Sequence, residues 1–492
     1  MQRKLMTTTI VLAATASLVA EPPAENQLLE QMQQLQTQVQ ELKSEVGRLR
    51  TQTNEDWMNS RRVEEIKTLV RQVLADADTR ASLVEGASAG HDGNKLFLAS
   101  EDGSFLMNIE GQIQARHIAN FRRDTASDPV DDGETGFQLR RTKLKFSGHI
   151  ADPRLKYVVQ IAIERNSQNL FGDVITIGYD LTDDLYIWIG DDKAPFLREE
   201  LTSSKRQLAV ERSLLNEVFT LDIVQGIGAK WNATEIIKVQ AMFNDGARSG
   251  DSGGDDRVLE DIEPEPGSPG FTDDAGAGKD FNGDAVDYAV TGRIDYLLAG
   301  SWKQYKDFTS FPGEDLFATF GAAIHYEVDE TGDATPNDAL LLWTVDGSME
   351  YNGLNFYTAF VMAHTDFEEV TGGPSRNNFT PWGVLVQGGY NIPLSRGSIE
   401  PFARYEHIDL DGVDVTTASA PAESSFDLVT FGLNWYHHKH AAKFTADVVY
   451  ALDPLIGGTG GLKGLSDSLG LLTDSEGHDD QTVVRLQYQL LF

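Results

Sequence analysis

The densest run of chemistry-bearing side chains is Arg140-Arg141-Thr142-Lys143-Leu144-Lys145. Guanidinium forks and ammonium groups crowded in this way bind oxyanions without any turnover chemistry. Under strict strand alternation Arg141, Lys143 and Lys145 share one face, and Arg140 shares the other with Leu144 and Phe146. The same run also reads as a basic strand that balances acidic neighbours and needs no ligand. His437-His438-Lys439-His440 carries transition-metal donors. It falls between two strongly alternating segments, 429–435 and 443–450, so a polar turn is expected there. The stretch 246–285 is dense in Asp, Glu and Gly, and Asp280-x-Asn282-Gly283-Asp284 is a fragment of a calcium loop. It lacks the twelve-residue spacing and the closing Glu, so a solvated acidic surface is expected and no metal site. There is no P-loop and no H-E-x-x-H. No enzyme and no cofactor are expected.

The bulk numbers narrow the classes further. The chain has 492 residues, with 41 Lys+Arg against 76 Asp+Glu, a formal charge of −35. A chain so acidic lacks the basic face that broad nucleic-acid binding needs. With no cysteine, disulfide scaffolds, thiolate metal sites and cysteine catalysis are excluded. No apolar run reaches the roughly 18 residues of a membrane helix. A transmembrane barrel escapes that test, because it hides its hydrophobicity in every second residue.

The elements that would hold these residues change character along the chain. Arg3-Lys4, an apolar stretch from Ile10 to Ala20 and small residues at its end predict a signal peptide over 1–20. Residues 21–54 carry Leu28, Met32, Leu35, Val39, Leu42, Val46 and Leu49, alternately four and three apart. That spacing is an a/d seam, and it predicts a coiled coil. Residues 55–93 are expected to be a second helix and a linker. From 94 to 492 the period becomes two. Tyr288, Val290, Ile294, Tyr296 and Leu298 oppose Thr291, Arg293 and Asp295; Leu486, Tyr488, Leu490 and Phe492 oppose Arg485, Gln487 and Gln489. Such segments are long enough to cross a bilayer when tilted, with lipid on one face and water on the other. About 16 of them, joined alternately by short turns and long polar loops, predict an all-β transmembrane antiparallel barrel with an N-terminal helical extension.

Two stretches carry a more specific signal. One is Gly136-Phe137-Gln138-Leu139-Arg140-Arg141-Thr142-Lys143-Leu144-Lys145-Phe146-Ser147-Gly148. The other is Gly190-Asp191-Asp192-Lys193-Ala194-Pro195-Phe196, followed by Glu199-Glu200-Leu201-Thr202-Ser203-Ser204 and Glu211-Arg212-Ser213. Together they resemble the porin O/P family of phosphate-selective outer-membrane porins, and the resemblance covers about 95–492. It implies a trimeric 16-stranded barrel with one loop folded inward to make a narrow basic constriction. Arg140 and Arg141 match the family's arginine pair in the pore. Ser203 and Ser204 match a hydroxyl pair on the inward loop, and Arg212 matches a further pore arginine. With Lys143 these are the candidate anion contacts. Ser203 and Ser204 also read as plain turn residues, and Arg212 as a partner of Glu211 or of a barrel carboxylate.

The chain departs from the family three residues before the serine pair. Phosphate-selective members tend to carry a lysine there, and this chain has Glu200, next to Glu199. Carboxylates at a constriction repel anions, so weak ion selectivity and feeble phosphate block are expected. The function expected is passive diffusion of small hydrophilic solutes or ions, phosphate or other anions among them, across the outer membrane of a Gram-negative-type bacterium. The rival is an envelope tether, with the barrel as anchor and the coiled coil reaching through the periplasm. Expected partners are outer-membrane lipid and lipopolysaccharide, two further copies in a homo-trimer, and the barrel-assembly machinery during insertion.

Overall fold

The computed structural model describes residues 87–91, 95–122, 133–163, 170–247, 288–329, 338–367, 378, 380–411, 425–453, 469–471 and 481–492. The expected signal peptide, coiled coil and second helix, and nearly all of the acidic stretch, lie outside those residues.

Among the described residues, period-two alternation produces nineteen strands in one antiparallel sheet. They are β1 (Ala87–His91), β2 (Leu96–Ser100), β3 (Phe105–Phe121), β4 (Gly133–Ile150), β5 (Asp152–Ile163), β6 (Leu170–Asp180) and β7 (Leu185–Lys193). After a long connection come β8 (Ile223–Asn232), β9 (Ile237–Asn244), β10 (Tyr288–Ala299), β11 (Phe317–Asp329), β12 (Asp338–Tyr351) and β13 (Leu354–Phe367). The last are β14 (Trp382–Tyr390), β15 (Ile392–Pro393), β16 (Ser398–Asp409), β17 (Ser425–His438), β18 (Ala442–Ala451) and β19 (Thr482–Leu491). β15 prolongs β14, since both pair with β16. β1 and β2 form a hairpin on one end of β3. The other sixteen close on themselves, because β19 pairs with β3 from Thr482↔Phe121 to Leu491↔Gln112. Closure removes every edge that lipid would leave unsatisfied. At the seam Phe492 and Gly111 exchange both backbone hydrogen bonds, and the Phe492 ring lies where a Cβ at position 111 would stand.

The outer face follows the sequence pattern. Ile294, Tyr296 and Leu298 are exposed while Thr291, Arg293 and Asp295 are buried; Leu486, Tyr488 and Leu490 are exposed while Arg485, Gln487 and Gln489 are buried. Exposed apolar side chains thus coat the outside, and polar ones turn inward, the reverse of a water-soluble sandwich. Aromatic residues stand at both strand ends: Tyr351, Tyr390 and Trp435 near one rim, Phe121, Phe243 and Tyr288 near the other. This is the girdle arrangement of a barrel in a bilayer.

The two rims differ. One carries connections of one to four residues, such as Ala151, 181–184 and Asn352-Gly353, whose φ angles of 45° and 97° suit a tight hairpin. Only 300–316, between β10 and β11, is long on that rim. The opposite rim carries 194–222, between β7 and β8, with helices α1 (Arg198–Leu201) and α2 (Leu214–Phe219) and a 3-10 turn at Ser204–Arg206. Both long connections fold into the barrel, where Phe196, Leu208, Leu214, Phe219 and Phe308 form much of an apolar core.

Candidate functional site

The inward segment 194–222 has few backbone partners of its own, so the barrel wall supplies them. Lys443 Nζ donates to the Gln207 carbonyl at 2.8 Å, and Asn434 Nδ2 to that of Leu208 at 2.8 Å. The Val210 amide donates to Asp447 at 2.9 Å, Arg404 Nη1 to the Glu211 carbonyl at 3.1 Å, and the Leu215 amide to Glu406 at 3.2 Å. These anchors lie on β16, β17 and β18, so the segment is pinned against that wall. Buried backbone groups left without such partners would each cost about 1–3 kcal/mol.

The carboxylates of the segment meet the arginines of the wall. Glu211 accepts from Arg116 Nη1 at 2.6 Å, Arg140 Nε at 2.6 Å, and Arg141 Nη1 and Nη2 at 3.0 and 2.7 Å. Strict alternation would turn Arg140 away. A β-bulge prevents that: Gln114 pairs with Arg141 and Ala115 with Leu139, so the β3–β4 register skips Arg140. Both arginines thereby reach the same carboxylate. Arg212 Nε lies 3.1 Å from Glu200, which also holds Lys193 Nζ at 2.5 Å and Asn216 Nδ2 at 3.1 Å. Glu199 accepts from the Ser213 amide at 3.0 Å, from the Ser213 hydroxyl, and from Arg404 Nη2 at 3.2 Å.

The remaining candidates stand apart. Lys143 pairs with Asp173 at 2.6 Å. Ser204 Oγ accepts from Gln112 Nε2 at 3.1 Å, and the Ser203 carbonyl from the Arg206 amide at 2.8 Å in the 3-10 turn. The six candidate contacts therefore do not converge on one point. Glu199 and Glu200 do not face the β4 arginines as unpaired repulsive charges either. Each carries its own cations, and the β4 arginines are met by Glu211.

Charged side chains are more exposed on the other wall. The side chains of Lys156 and Lys230 are each 46% exposed, and they pair with Asp180 and, at 3.1 Å, with Asp192. Lys230 also lies 4.5 Å over the Trp188 ring and Lys156 5.6 Å over that of Tyr186. By contrast the inward-facing Glu327, Glu400, Arg404 and Arg485 of β11, β16 and β19 are covered. The more exposed inward-facing side chains thus lie on the wall from β4 to β8, ammonium beside carboxylate. Sequence reasoning missed Arg116, Arg404 and the role of Glu211. Arg116 was legible from the polar alternation Gln112, Gln114, Arg116; Glu211 stood in the family-like stretch Glu211-Arg212-Ser213, but neither its partners nor those of Arg404 follow from local spacing.

The lock on the segment resists acid. Burial raises the Glu200 carboxyl, but Arg212 and Lys193 outweigh it and bring it down to about 2. Glu211 is likewise held well below the ordinary 4.5, its burial overcome by Arg140, Arg141 and Arg116. A lowered carboxyl stabilises the folded state above its unfolded value and loses that contribution as pH falls through its folded value. The hold of Glu200 and Glu211 on the segment should therefore persist from about pH 8 to pH 5 and fail only on approach to about pH 2, read as channel noise. Glu200→Gln should bring that noise on at about pH 7; a quiet Glu200→Gln channel would show that this glutamate does not hold the segment.

No group of His, Asp or Glu suited to a metal occurs among the described residues. His440 turns inward against Tyr436 and Phe311, with ring centroids 5.5 and 5.8 Å away.

Residues 112–260 match the family model for phosphate-selective porin O and P, the family that 136–148 and 190–213 resemble. An uncharacterized protein of Aquifex aeolicus (strain VF5) is 23% identical over 326 residues, 65% of this chain and 68% of that protein. Similar solved structures include an anion-selective porin from Comamonas acidovorans, 11% identical, covering 78% of this chain and 99% of that one, with a TM-score of 0.48. The outer membrane channel DcaP of Acinetobacter baumannii is 12% identical, covering 78% of this chain and 97% of that one, with a TM-score of 0.46. The family match and the closed barrel point to an outer-membrane channel.

Proposed function

We propose that this chain is a passive diffusion channel for small hydrophilic solutes and ions in the outer membrane, weakly selective and poorly blocked by phosphate. The observation that carries this reading is the pairing of every candidate pore arginine with a carboxylate of the inward segment. Guanidinium forks already filled by carboxylates offer an anion little. The accessible wall from β4 to β8 presents lysines and aspartates side by side, which favours neither sign strongly. The formal charge of −35 raises cation concentration at the mouths, an effect that salt screens within about 8–10 Å. A homo-trimer is part of the proposal, as the family resemblance implies, and so are contacts of the rim with lipopolysaccharide.

Planar-bilayer recording tests this reading. Stable ohmic steps are expected, with a reversal potential near zero in a potassium chloride gradient and less than a two-fold fall in chloride current at millimolar phosphate. Block by micromolar phosphate would overturn the selectivity reading. Bilayers that stay silent with folded protein would overturn the channel itself.

A further inference from the structure

We infer that Arg198, Thr319, Ser348 and Glu350 enclose a buried solvent site, and that Glu350 is a positioning residue that fixes the inward segment through it. The consequence for conduction rests on the channel reading above; the site itself does not.

The register of three strands places the groups. Thr319, Ser348 and Tyr357 are direct neighbours across β11, β12 and β13, and Phe317, Glu350 and Asn355 form the next row toward the short-turn rim. All six are buried. The Arg198 guanidinium lies 5.7 Å from the Tyr357 ring centroid, on one side of β12, and 6.0 Å from that of Phe317, on the other. A group within reach of both rings stands over β12, beside Ser348 and Glu350. The Arg198 charge also acts on the Glu350 carboxyl.

Arg198 Nη2 donates to the Tyr305 carbonyl at 3.3 Å. Among the described residues, Arg198 Nε and Nη1, Thr319 Oγ1, Ser348 Oγ and Glu350 Oε2 have no hydrogen-bond partner. Arg198 is 0% exposed and Glu350 2%, so these atoms do not face bulk water. Buried polar atoms seldom stay unpaired. The guanidinium hydrogens need an acceptor, and the carboxyl and hydroxyl oxygens can take a donor. They face one another without a direct hydrogen bond. Water accepts from the first set and donates to the second, so ordered water completes both. An anion would complete only the guanidinium, and a cation only the oxygens.

Three parts of the molecule meet here. Arg198 belongs to 194–222, Tyr305 to 300–316, and Thr319, Ser348 and Glu350 to the wall. The rings around Arg198 attract its charge over a broad area, whereas hydrogen bonds fix its direction. The place of Arg198 along β12 is thus set by the solvent it shares with Glu350.

A crystal structure of the full chain in detergent tests the site. Ordered water within hydrogen-bond distance of both Arg198 and Glu350 is expected. A direct bond between the two, or an ion between them, overturns it. Planar-bilayer recording of the full chain tests the positioning, with heat-modifiable migration reporting an intact barrel in each variant. Glu350→Leu and Arg198→Met should each raise the rate of brief current excursions at least about ten-fold, since each leaves the other side of the site unpaired. Glu350→Gln keeps an acceptor oxygen and should stay near wild type. The double variant Arg198→Met, Glu350→Leu should be quieter than either single one, because apolar groups then meet across the site. A quiet Glu350→Leu channel overturns the positioning role. So does a Glu350→Gln channel as noisy as Glu350→Leu, or a double variant in which the two effects multiply. Silent bilayers with folded wild-type protein would instead defeat the channel reading, and the crystal structure would still decide the solvent site.

Discussion

Glu200→Lys should give a barrel that still inserts but conducts in larger, noisier steps, with little gain in anion preference. At an open constriction this exchange would simply add a positive charge and favour anions. Here the Glu200 carboxylate is buried between Arg212 and Lys193, with Asn216 at a third position. A lysine would place three cations in one covered pocket. Removing one partner of a buried pair costs about 3–5 kcal/mol, and adding a like charge costs more. That is comparable to the whole of what the wall contacts of the segment contribute, at about 1 kcal/mol for each net hydrogen bond. The segment is therefore expected to leave the wall. The barrel should survive, because the ladders of β7 and β8 do not involve Glu200. Single-channel recording decides the matter: a quiet channel of wild-type conductance with a reversal potential shifted toward anions would show that Glu200 faces the open path.

Replacing 301–315 by a tight turn should raise conductance by roughly half or more, with the barrel intact. This connection packs into the short-turn end of the lumen against β13 and β17. Thr309 Oγ1 meets the Tyr436 hydroxyl at 2.9 Å, the Gly353 amide donates to Ser310 Oγ at 3.1 Å, and the Phe308 and Tyr357 rings lie 4.6 Å apart. It also braces the inward segment. The Arg198 guanidinium lies over Tyr305, Phe308, Tyr357 and Phe317, between 4.3 and 6.0 Å from their centroids. Cation–π contacts of this sort contribute from about 0.5 to about 2 kcal/mol each. Arg293 ties the same region together, donating to the Phe196 carbonyl at 2.8 Å and pairing with Asp295 and Asp346 at 2.7 and 2.8 Å. Heat-modifiable migration should remain, because β10 and β11 pair from Tyr288↔Val328 onward without the connection. Unchanged conductance would place the narrowest point wholly at 194–222.

The outer shell of this architecture was readable residue by residue. Val290, Ile294, Tyr296 and Leu298 point outward as their alternation requires, and the β19 pattern holds to Phe492. Val328 departs from it. Its alternation assigns it to the exposed face with Ile324 and Tyr326, yet it is buried. The strand total was legible because each strand carries its own period. The pore interior was legible only in part. Arg140 and Arg141 were found as chemistry, but alternation put them on opposite faces, and the bulge opposite Gln114 and Ala115 puts both on Glu211. A bulge is a property of two paired strands, and β4 alone does not reveal it.

By itself the sequence determined the closed barrel, its apolar outside and its polar inside, since these follow from a period that each strand expresses locally and that lipid and water enforce separately. It also determined that the inward segment carries both arginine and glutamate. Only the tertiary structure decided which charges meet. Arg116 and Glu211 are 95 positions apart, and Arg404 and Glu199 are 205 apart, so nothing in their local spacing sets the pairing. Whether an arginine in a pore binds a passing anion or a carboxylate of its own chain depends on where a long loop comes to rest. That is fixed by the hydrogen bonds of 207–215 to β16, β17 and β18, contacts between segments that only closure of the barrel brings together.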